Sequence, residues 1–397
     1  MSENSSGINN ENQVSLFEEE HKVEYEDSGN PLEVHPWDPE KIRITTKHFS
    51  LREVVDQILD GDIDLSPDFQ REYVWSDKQK TRLVESVLLG IPLPAFYFNQ
   101  EIDGSYQIVD GVQRLSTISA FMRDFHCLRS THLEYLKDYD GMKFSDLGTL
   151  ETRRFRSTQI VVHVIEPTTP TDIKYDIFSR VNTLGSPLKP QEIRHAMSTS
   201  RSRNFLSSFV ENKYFDEATD FNFWKKGEDG KPVRNSGRMT DREIALRFCA
   251  FKTSSLDEYR EFSSLDRFLV NFTERLDGKS SETAISDEEM DALLSSFERA
   301  MEAATYILGD SAFRRIEDGK RRGPINRAIF ESQSIALSAF PLDQLLDKSN
   351  EVREILIGLF QDPDYTKSVT VGTGAPNSVK TRITVPIVQL MELLNDQ

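Results

Sequence analysis

Residues 106–126 read YQIVDGVQRLSTISAFMRDFH and predict a β-strand that turns directly into an α-helix. The first part alternates apolar and polar side chains, which is typical of a short strand. The last part repeats apolar side chains at helical spacing. Asp110 is followed three residues later by Gln113, which is a capping-box arrangement, so the helix is predicted to begin at Gly111.

The turn between this strand and helix has features of a phosphate-binding loop. A glycine at such a turn lets a ligand approach the backbone closely, and a helix N-terminus offers N–H groups to an anion. Arg114 adds a planar fork of donors that suits phosphate. The same residues also fit an ordinary capped helix start in which Arg114 bridges to a neighbouring carboxylate, so the turn alone leaves both interpretations open.

The composition limits the class of protein. A chain of 397 residues is long enough for two or three domains, and its net charge of −18 argues against a generic DNA-coating protein, although a local basic groove remains compatible with it. The two cysteines, Cys127 and Cys249, lack metal-ligand spacing and suit a reducing compartment. Because no apolar run approaches membrane-spanning length, we expect a soluble, cytoplasmic protein without membrane contact.

The chain is predicted to have three parts. Residues 1–40 are polar and acidic, which is typical of a disordered tail. Residues 41–200 mix strand and helix patterns, and residues 201–397 show almost only helical periodicity. The predicted fold class is therefore α+β, with a mixed domain followed by a helical one.

Local signals set the main elements of the mixed domain. Ser50 and a serine or aspartate at 76–77 are predicted to cap two helices. The Asp103-Gly104 turn predicts an antiparallel hairpin of strands 95–99 and 105–109. A further strand is predicted at 159–165, and helices at 171–181 and 191–197.

Three segments place an arginine beside or near an amide side chain. They are Gln70-Arg71, Gln113-Arg114 and Arg180-Val181-Asn182, the last closely followed by Glu192 and Arg194. Arginines can clamp phosphates, whereas glutamine and asparagine can orient water. Asp110 or Glu192 could hold Mg²⁺ through phosphate oxygens. The alternative is a buried structural network in which the arginines pair with nearby carboxylates, and the residues alone favour neither.

Five short segments occur in order between residues 45 and 200. They are PDFQREYVW (67–75), LVESVLLGIPLP (83–94), IVDGVQRL (108–115), IFSRVNTLGSPL (177–188) and EIRHA (192–196). Together they resemble the N-terminal domain of GmrSD-type, modification-dependent restriction endonucleases. Weaker similarity continues at RMTDRE (238–243) and KTR (380–382).

This resemblance implies a ParB/sulfiredoxin-like fold that binds a nucleoside triphosphate with Mg²⁺ and hydrolyses it. The implied role is a regulatory or sensor module of a restriction system, with phage defence following by analogy. The resemblance places Asp110, Gln113 and Arg114 at the reacting phosphates, with Asp110 also as the metal ligand. The implied cofactor-binding residues are Gln70, Arg71, Gly111, Arg180, Asn182, Glu192 and Arg194.

Two departures from the family pattern keep other functions open. The family loop often has glutamine where this chain has Val112, which favours a nucleotide-gated adaptor without catalysis. An HNH nuclease needs a histidine base, and none of the seven histidines lies beyond residue 195, so we do not expect that nuclease here. The basic clusters at 153–156 and 314–322 leave a DNA-binding specificity protein as a further alternative. The partner would then be DNA or a separate effector protein, and no pattern indicates the oligomeric state.

Overall fold

The computed structural model describes residues 23, 24, 26, 38–65, 75–181, 188–227, 230–236, 238–279, 283–317 and 320–395. The chain divides into two compact units. Residues 35–197 form the first unit, and residues 1–34 together with 198–397 form the second.

The first unit is built on a five-stranded mixed sheet. Its strands are β1 (Ile44–Ser50), β2 (Ile63–Asp64), β3 (Phe96–Gln100), β4 (Tyr106–Asp110) and β5 (Gln159–Ile165), in the order β1-β5-β3-β4-β2. The β1–β5 and β3–β4 pairs are antiparallel, whereas β3–β5 and β2–β4 are parallel. Its helices are α1 (Leu51–Asp60), α2 (Asp77–Leu88), α3 (Val112–Met122), α4 (Thr149–Ser157), α5 (Thr171–Val181) and α6 (Pro190–Met197).

Local caps and turns position these elements. The Ser50 hydroxyl accepts the backbone N–H of Glu53 at the start of α1, and Ser76 forms a complete capping box with Gln79 at the start of α2. The predicted 95–99/105–109 hairpin is confirmed as β3–β4. Helix α4 was not predicted, because its sequence is strongly polar and only Phe155 on it is buried.

The second unit is mostly helical, as the periodicity beyond residue 200 predicts. Its helices are α7 (Ser200–Val210), α8 (Lys213–Ala218), α9 (Thr240–Thr253), α10 (Leu256–Arg260), α11 (Leu265–Leu276), α12 (Asp287–Leu308), α13 (Arg327–Leu337), α14 (Leu342–Asp347), α15 (Ser349–Gly358), α16 (Pro363–Ser368) and α17 (Pro376–Asn395). The α+β fold class is confirmed. Within the described ranges of the chain, no helix is both long and apolar enough to span a bilayer.

Two small hairpins in the second unit were not predicted. Strands β6 (Trp224–Lys226) and β7 (Pro232–Arg234) form one, and β8 (Arg314–Glu317) and β9 (Lys320–Ile325) form the other. Helical periodicity predicts a helix over residues 325–339, but residue 325 ends β9 and α13 begins at Arg327 instead. The side chain of Asn326 caps α13 by accepting the N–H of Ile329, which explains the later start.

Part of the predicted acidic tail is ordered against the second unit. Val23 forms an isolated parallel bridge to Ile325, and the carboxylates of Glu24 and Glu26 bond to arginines of this unit. The prediction of a disordered tail at residues 1–40 did not anticipate these contacts. The composition gave no signal for this, because the arginines that hold the glutamates lie more than two hundred residues away.

A buried carboxylate organises one loop of the first unit. Glu85 on α2 is 2% exposed, and its carboxylate accepts the backbone N–H groups of Glu134, Tyr135 and Leu136 at 2.7–3.0 Å. Burial raises the pKa of Glu85, but these hydrogen bonds and Arg82 outweigh it and hold the pKa below its usual value of 4.5. The loop at 134–136 therefore depends on an ionised Glu85.

We expect Glu85→Gln to lower the free energy of unfolding by about 1–3 kcal/mol at pH 7, since the amide presents a donor to buried N–H groups. The pKa of Glu85 is lower in the folded chain than in the unfolded chain. The stability that ionised Glu85 contributes is therefore complete above the pKa of the unfolded chain, and it is lost as the pH falls through the pKa of the folded chain. Denaturation at pH 7 and below pH 4.5 should show the difference between variant and unaltered chain shrinking in acid. Glu53→Gln, at an exposed position, is the control, and a constant difference would contradict the assignment.

Candidate functional site

The candidate site lies where β4 passes into α3. Asp110 ends the strand, and Gly111 precedes the helix with a φ of +105°, a left-handed conformation that side-chain-bearing residues rarely adopt. A Cβ at Gly111 would lie 2.2 Å from Cδ1 of the Phe96 ring. Both the backbone conformation and the space therefore require glycine here.

Arg114 is held against this turn by several groups. Its Nη2 donates to Oδ2 of Asp110 at 2.6 Å and to the carbonyl of Ala95 at 3.2 Å, and its Nη1 donates to the carbonyl of Pro94 at 2.5 Å. The guanidinium also lies 4.1 Å from the centroid of the Phe96 ring, a cation–π contact. Arg114 thus ties the first turn of α3 to the start of β3.

Arg114 keeps its positive charge in this position. Burial lowers the pKa of Arg114, and the neighbouring carboxylate of Asp110 opposes that shift. Arginine in proteins is not deprotonated in any case. The ion pair with Asp110 leaves 12% of the arginine side chain and 36% of the aspartate side chain exposed, so solvent or a ligand can reach it.

The predicted capping box at the start of α3 is wrong. Gly111 is the N-cap residue and the helix itself begins at Val112, without a side-chain hydrogen bond to its first turn. Asp110 pairs with Arg114, while Oε1 of Gln113 accepts the backbone N–H of Trp75 at 3.3 Å. Gly111 has no side chain with which to cap the first turn, and the structural alternative for Arg114, a bridge to a carboxylate, is what the contacts show.

Val112, the departure from the family pattern, is a core residue. Its side chain is 6% exposed and packs in the cluster between the sheet and its helices, together with Leu115 and Ile118. Because the side chain points into the core, its apolar character supports the packing of α3.

Helices α5 and α6, which carry further predicted site residues, both contact β4. Arg180 is exposed in the last turn of α5. Glu192 and Arg194 on α6 are 1% and 2% exposed. Glu192 accepts the backbone N–H of Lys189 at 2.6 Å, and Nε of Arg194 donates to Gln191 at 2.8 Å. These two contacts stabilise α6 itself.

The remaining predicted site residues cannot be placed. Gln70, Arg71 and Asn182 lie outside the described residues. Sequence reasoning missed Phe96 and the carbonyls of Pro94 and Ala95, which complete the setting of Arg114. The prolines just before β3 were the only sequence signal at this position. They indicate a turn before the strand, but they do not indicate that an arginine packs against its start.

The described part of the chain contains no group of three or more His, Cys, Asp or Glu residues arranged to hold a metal ion. Asp110 is paired with Arg114. A magnesium ion at Asp110 would therefore take its other ligands from phosphate oxygens and water, which is the usual way proteins bind it.

Comparison with known proteins supports the resemblance noted from the sequence. Residues 51–198 match the family model described as "GmrSD restriction endonuclease, N-terminal domain". A solved structure described as "Structure of the C2221 form of Pnob8-like ParB-N domain" is 11% identical, with 89% of this chain and 98% of that chain covered and a TM-score of 0.21. That score is too low to establish a shared fold, so a ParB/sulfiredoxin-like fold stays a prediction. Curated proteins yield no match. Residues 51–198 are therefore similar to the N-terminal domain of GmrSD restriction endonucleases.

Proposed function

We propose that this chain is a nucleotide-dependent regulatory module of a restriction or phage-defence system, and that the turn at Gly111–Arg114 binds the phosphates of a nucleoside triphosphate. The observation that carries the proposal is the start of α3, where a glycine with positive φ is the N-cap residue beside a fixed guanidinium. The N–H groups at a helix N-terminus and an arginine are donors that bind phosphate in proteins.

The surroundings of Arg114 suit such a role. The carbonyls of Pro94 and Ala95 and the ring of Phe96 hold the guanidinium at the turn independently of Asp110. A bound phosphate can then share Arg114 with Asp110 without displacing it from the turn. Mg²⁺ would neutralise phosphate charge, with Asp110 as the protein ligand, and Gln113 would orient a water molecule.

Calorimetric titration of the chain with ATP, GTP, CTP and UTP in the presence of Mg²⁺ tests the proposal. We expect one nucleotide to bind with micromolar affinity. Arg114→Ala should weaken this binding roughly 10- to 100-fold, because charge-assisted hydrogen bonds to the phosphates are lost. Arg180→Ala, at an exposed position, should also weaken binding without disturbing the turn. Arg52→Ala, whose side chain is 69% exposed on α1, is the matched control.

Circular dichroism must show that Arg114→Ala is folded, because this arginine also ties α3 to β3. Absence of binding by any of the four nucleotides would reject the proposal. In that case the turn at Gly111–Arg114 would have only a structural role.

Release of inorganic phosphate separates hydrolysis from binding alone. We expect the unaltered chain to release phosphate. Because Gln113 is proposed to orient the attacking water, Gln113→Ala should still bind the nucleotide but release no phosphate. Binding without any phosphate release would instead support the second form of the proposal, a nucleotide-gated adaptor that passes its state to an effector protein.

A second candidate function is DNA binding through α4. Arg153, Arg154 and Arg156 are exposed on this helix, while Phe155 between them is buried. In the basic cluster at 314–322, by contrast, Arg314 is 4% exposed and Arg315 pairs with Glu24. Changing the three α4 arginines to glutamine should reduce the salt dependence of DNA affinity. An unaltered chain that does not bind DNA at low salt would exclude this candidate.

A further inference from the structure

The second unit contains a mostly buried ionic cluster that is not part of the β4–α3 site. It consists of Arg247 on α9, Arg315 on β8, Arg327 and Glu331 on α13, Arg382 on α17, and Glu243 on α9, and we refer to it as the arginine cluster. Glu331 and Arg382 are fully buried and ion-paired at 2.6 Å. The side chain of Arg247 is 6% exposed and bonds to both Glu331 and Glu243.

Glu26 inserts its carboxylate into this cluster. Nη1 and Nη2 of Arg247 donate to its two oxygens at 2.9 and 2.7 Å, and the hydroxyl of Thr373 donates to it at 2.6 Å. The side chain of Glu26 is 11% exposed. Burial raises the pKa of Glu26, but Arg247, Arg327 and Thr373 outweigh it and the pKa lies below 4.5, so the carboxylate is ionised at neutral pH.

Glu24 is bound next to it through both its side chain and its backbone. The carboxylate accepts hydrogen bonds from Arg315 at 3.0 Å and Asn326 at 2.7 Å. The backbone N–H donates to the carbonyl of Ile325 at 2.7 Å, and the backbone carbonyl accepts from Arg327 at 3.0 Å. Val23 continues this pairing as an isolated parallel bridge to Ile325, so the backbone of Val23 and Glu24 pairs with the end of β9 as a peptide does in strand addition.

The charges explain why the cluster needs these glutamates. Without Glu24 and Glu26, the four arginines of the cluster would have only Glu243 and Glu331 as acidic partners among the described contacts. An arginine that is buried without a compensating anion is costly. The rest of the second unit thus forms a preorganised site that lacks two negative charges.

We propose that the arginine cluster is a binding site for an extended acidic peptide of the pattern Glu-x-Glu, and that Glu24 and Glu26 of the chain itself occupy it in cis. A free phosphate or a nucleic-acid backbone fits less well, because the carbonyl of Ile325 accepts an N–H that a phosphate cannot donate. The parallel pairing with Ile325 likewise requires a peptide backbone. An acidic segment of a partner protein would bind by replacing the chain's own segment.

A competing peptide must displace glutamates that belong to the same chain as the arginine cluster. A segment attached to the same chain acts at an effective concentration in the millimolar range, so a competing peptide must be supplied in excess or the cis segment must be weakened. Glu24→Gln together with Glu26→Gln weakens it without changing any arginine of the cluster.

The test uses the full chain and a fluorescein-labelled peptide of residues 20–29, with binding followed by fluorescence anisotropy. We expect the peptide to bind the Glu24→Gln/Glu26→Gln chain at least tenfold more tightly than the unaltered chain. The same peptide carrying both glutamine substitutions should bind at least tenfold more weakly. Equal binding to the two chains, or displacement of the peptide by an equal concentration of a dT10 oligonucleotide, would overturn the proposal.

Hydrogen exchange on the unaltered chain provides a second measurement that does not depend on the folding of a variant. The amide of Glu24 should be protected, because it donates to Ile325. An excess of unlabelled peptide should remove that protection, whereas the double-glutamine peptide should leave it unchanged. Exchange of this amide at the rate of an unstructured chain would show that the site is not occupied in cis and would contradict the proposal.

Discussion

Replacing Glu331 with glutamine is expected to lower the free energy of unfolding by about 3–5 kcal/mol, the cost of breaking a buried ion pair by removing one partner. Glu331 is fully buried and its carboxylate bonds to two arginines. Oε2 accepts from Nε of Arg382 at 2.8 Å and is ion-paired with its Nη2 at 2.6 Å, and Oε1 accepts from Nη1 of Arg247 at 2.9 Å. Glutamine keeps the shape but leaves two buried guanidinium groups short of one negative charge.

Urea denaturation of the unaltered and variant chains at pH 7 measures this loss. The matched control is Asp257→Asn, which removes the charge of an Asp257–Arg260 pair with a 2.7 Å contact and 88% of the aspartate side chain exposed. That change should cost at most about 1 kcal/mol, since solvent screens exposed pairs. A Glu331→Gln chain as stable as the control would mean that water or a rearranged arginine replaces the lost charge.

Replacing Gly111 with alanine is expected to lower the free energy of unfolding by about 2–5 kcal/mol, from two separate costs. The φ of +105° is strained for any residue with a Cβ, which accounts for about 1–2 kcal/mol. The added Cβ would also lie 2.2 Å from the ring of Phe96, which is fully buried in the core and cannot turn away freely, adding about 1–3 kcal/mol.

Gly61→Ala separates the two costs. Gly61 ends α1 with a φ of +86°, and no heavy atom lies within 4 Å of a Cβ built there. This variant should show only the backbone cost of about 1–2 kcal/mol. Thermal or urea denaturation of both variants gives the comparison, and equal losses would show that Phe96 moves aside and that close packing is not the reason for glycine at position 111.

Elements with strong local signals were predicted well. Helices α1 and α2 begin after serine caps, and the β3–β4 hairpin follows an Asp-Gly turn, so the information lies within a few residues of each boundary. The same local reasoning failed at the start of α3. There Asp110 has a cap-like spacing to Gln113, but its carboxylate is taken by Arg114, because a charged partner one helical turn away binds it more strongly than a backbone N–H does.

The sequence by itself determined the α+β class, the strand–glycine–helix turn with Asp110, Gly111 and Arg114, and the resemblance of residues 51–198 to a GmrSD N-terminal domain. Only the tertiary structure decided which groups those residues meet. Arg114 lies on carbonyls nineteen and twenty positions earlier, and Glu26 binds an arginine 221 positions later. Such pairings follow from how sheets and helices pack, and burial then makes each unpaired charge too costly to leave without its distant partner.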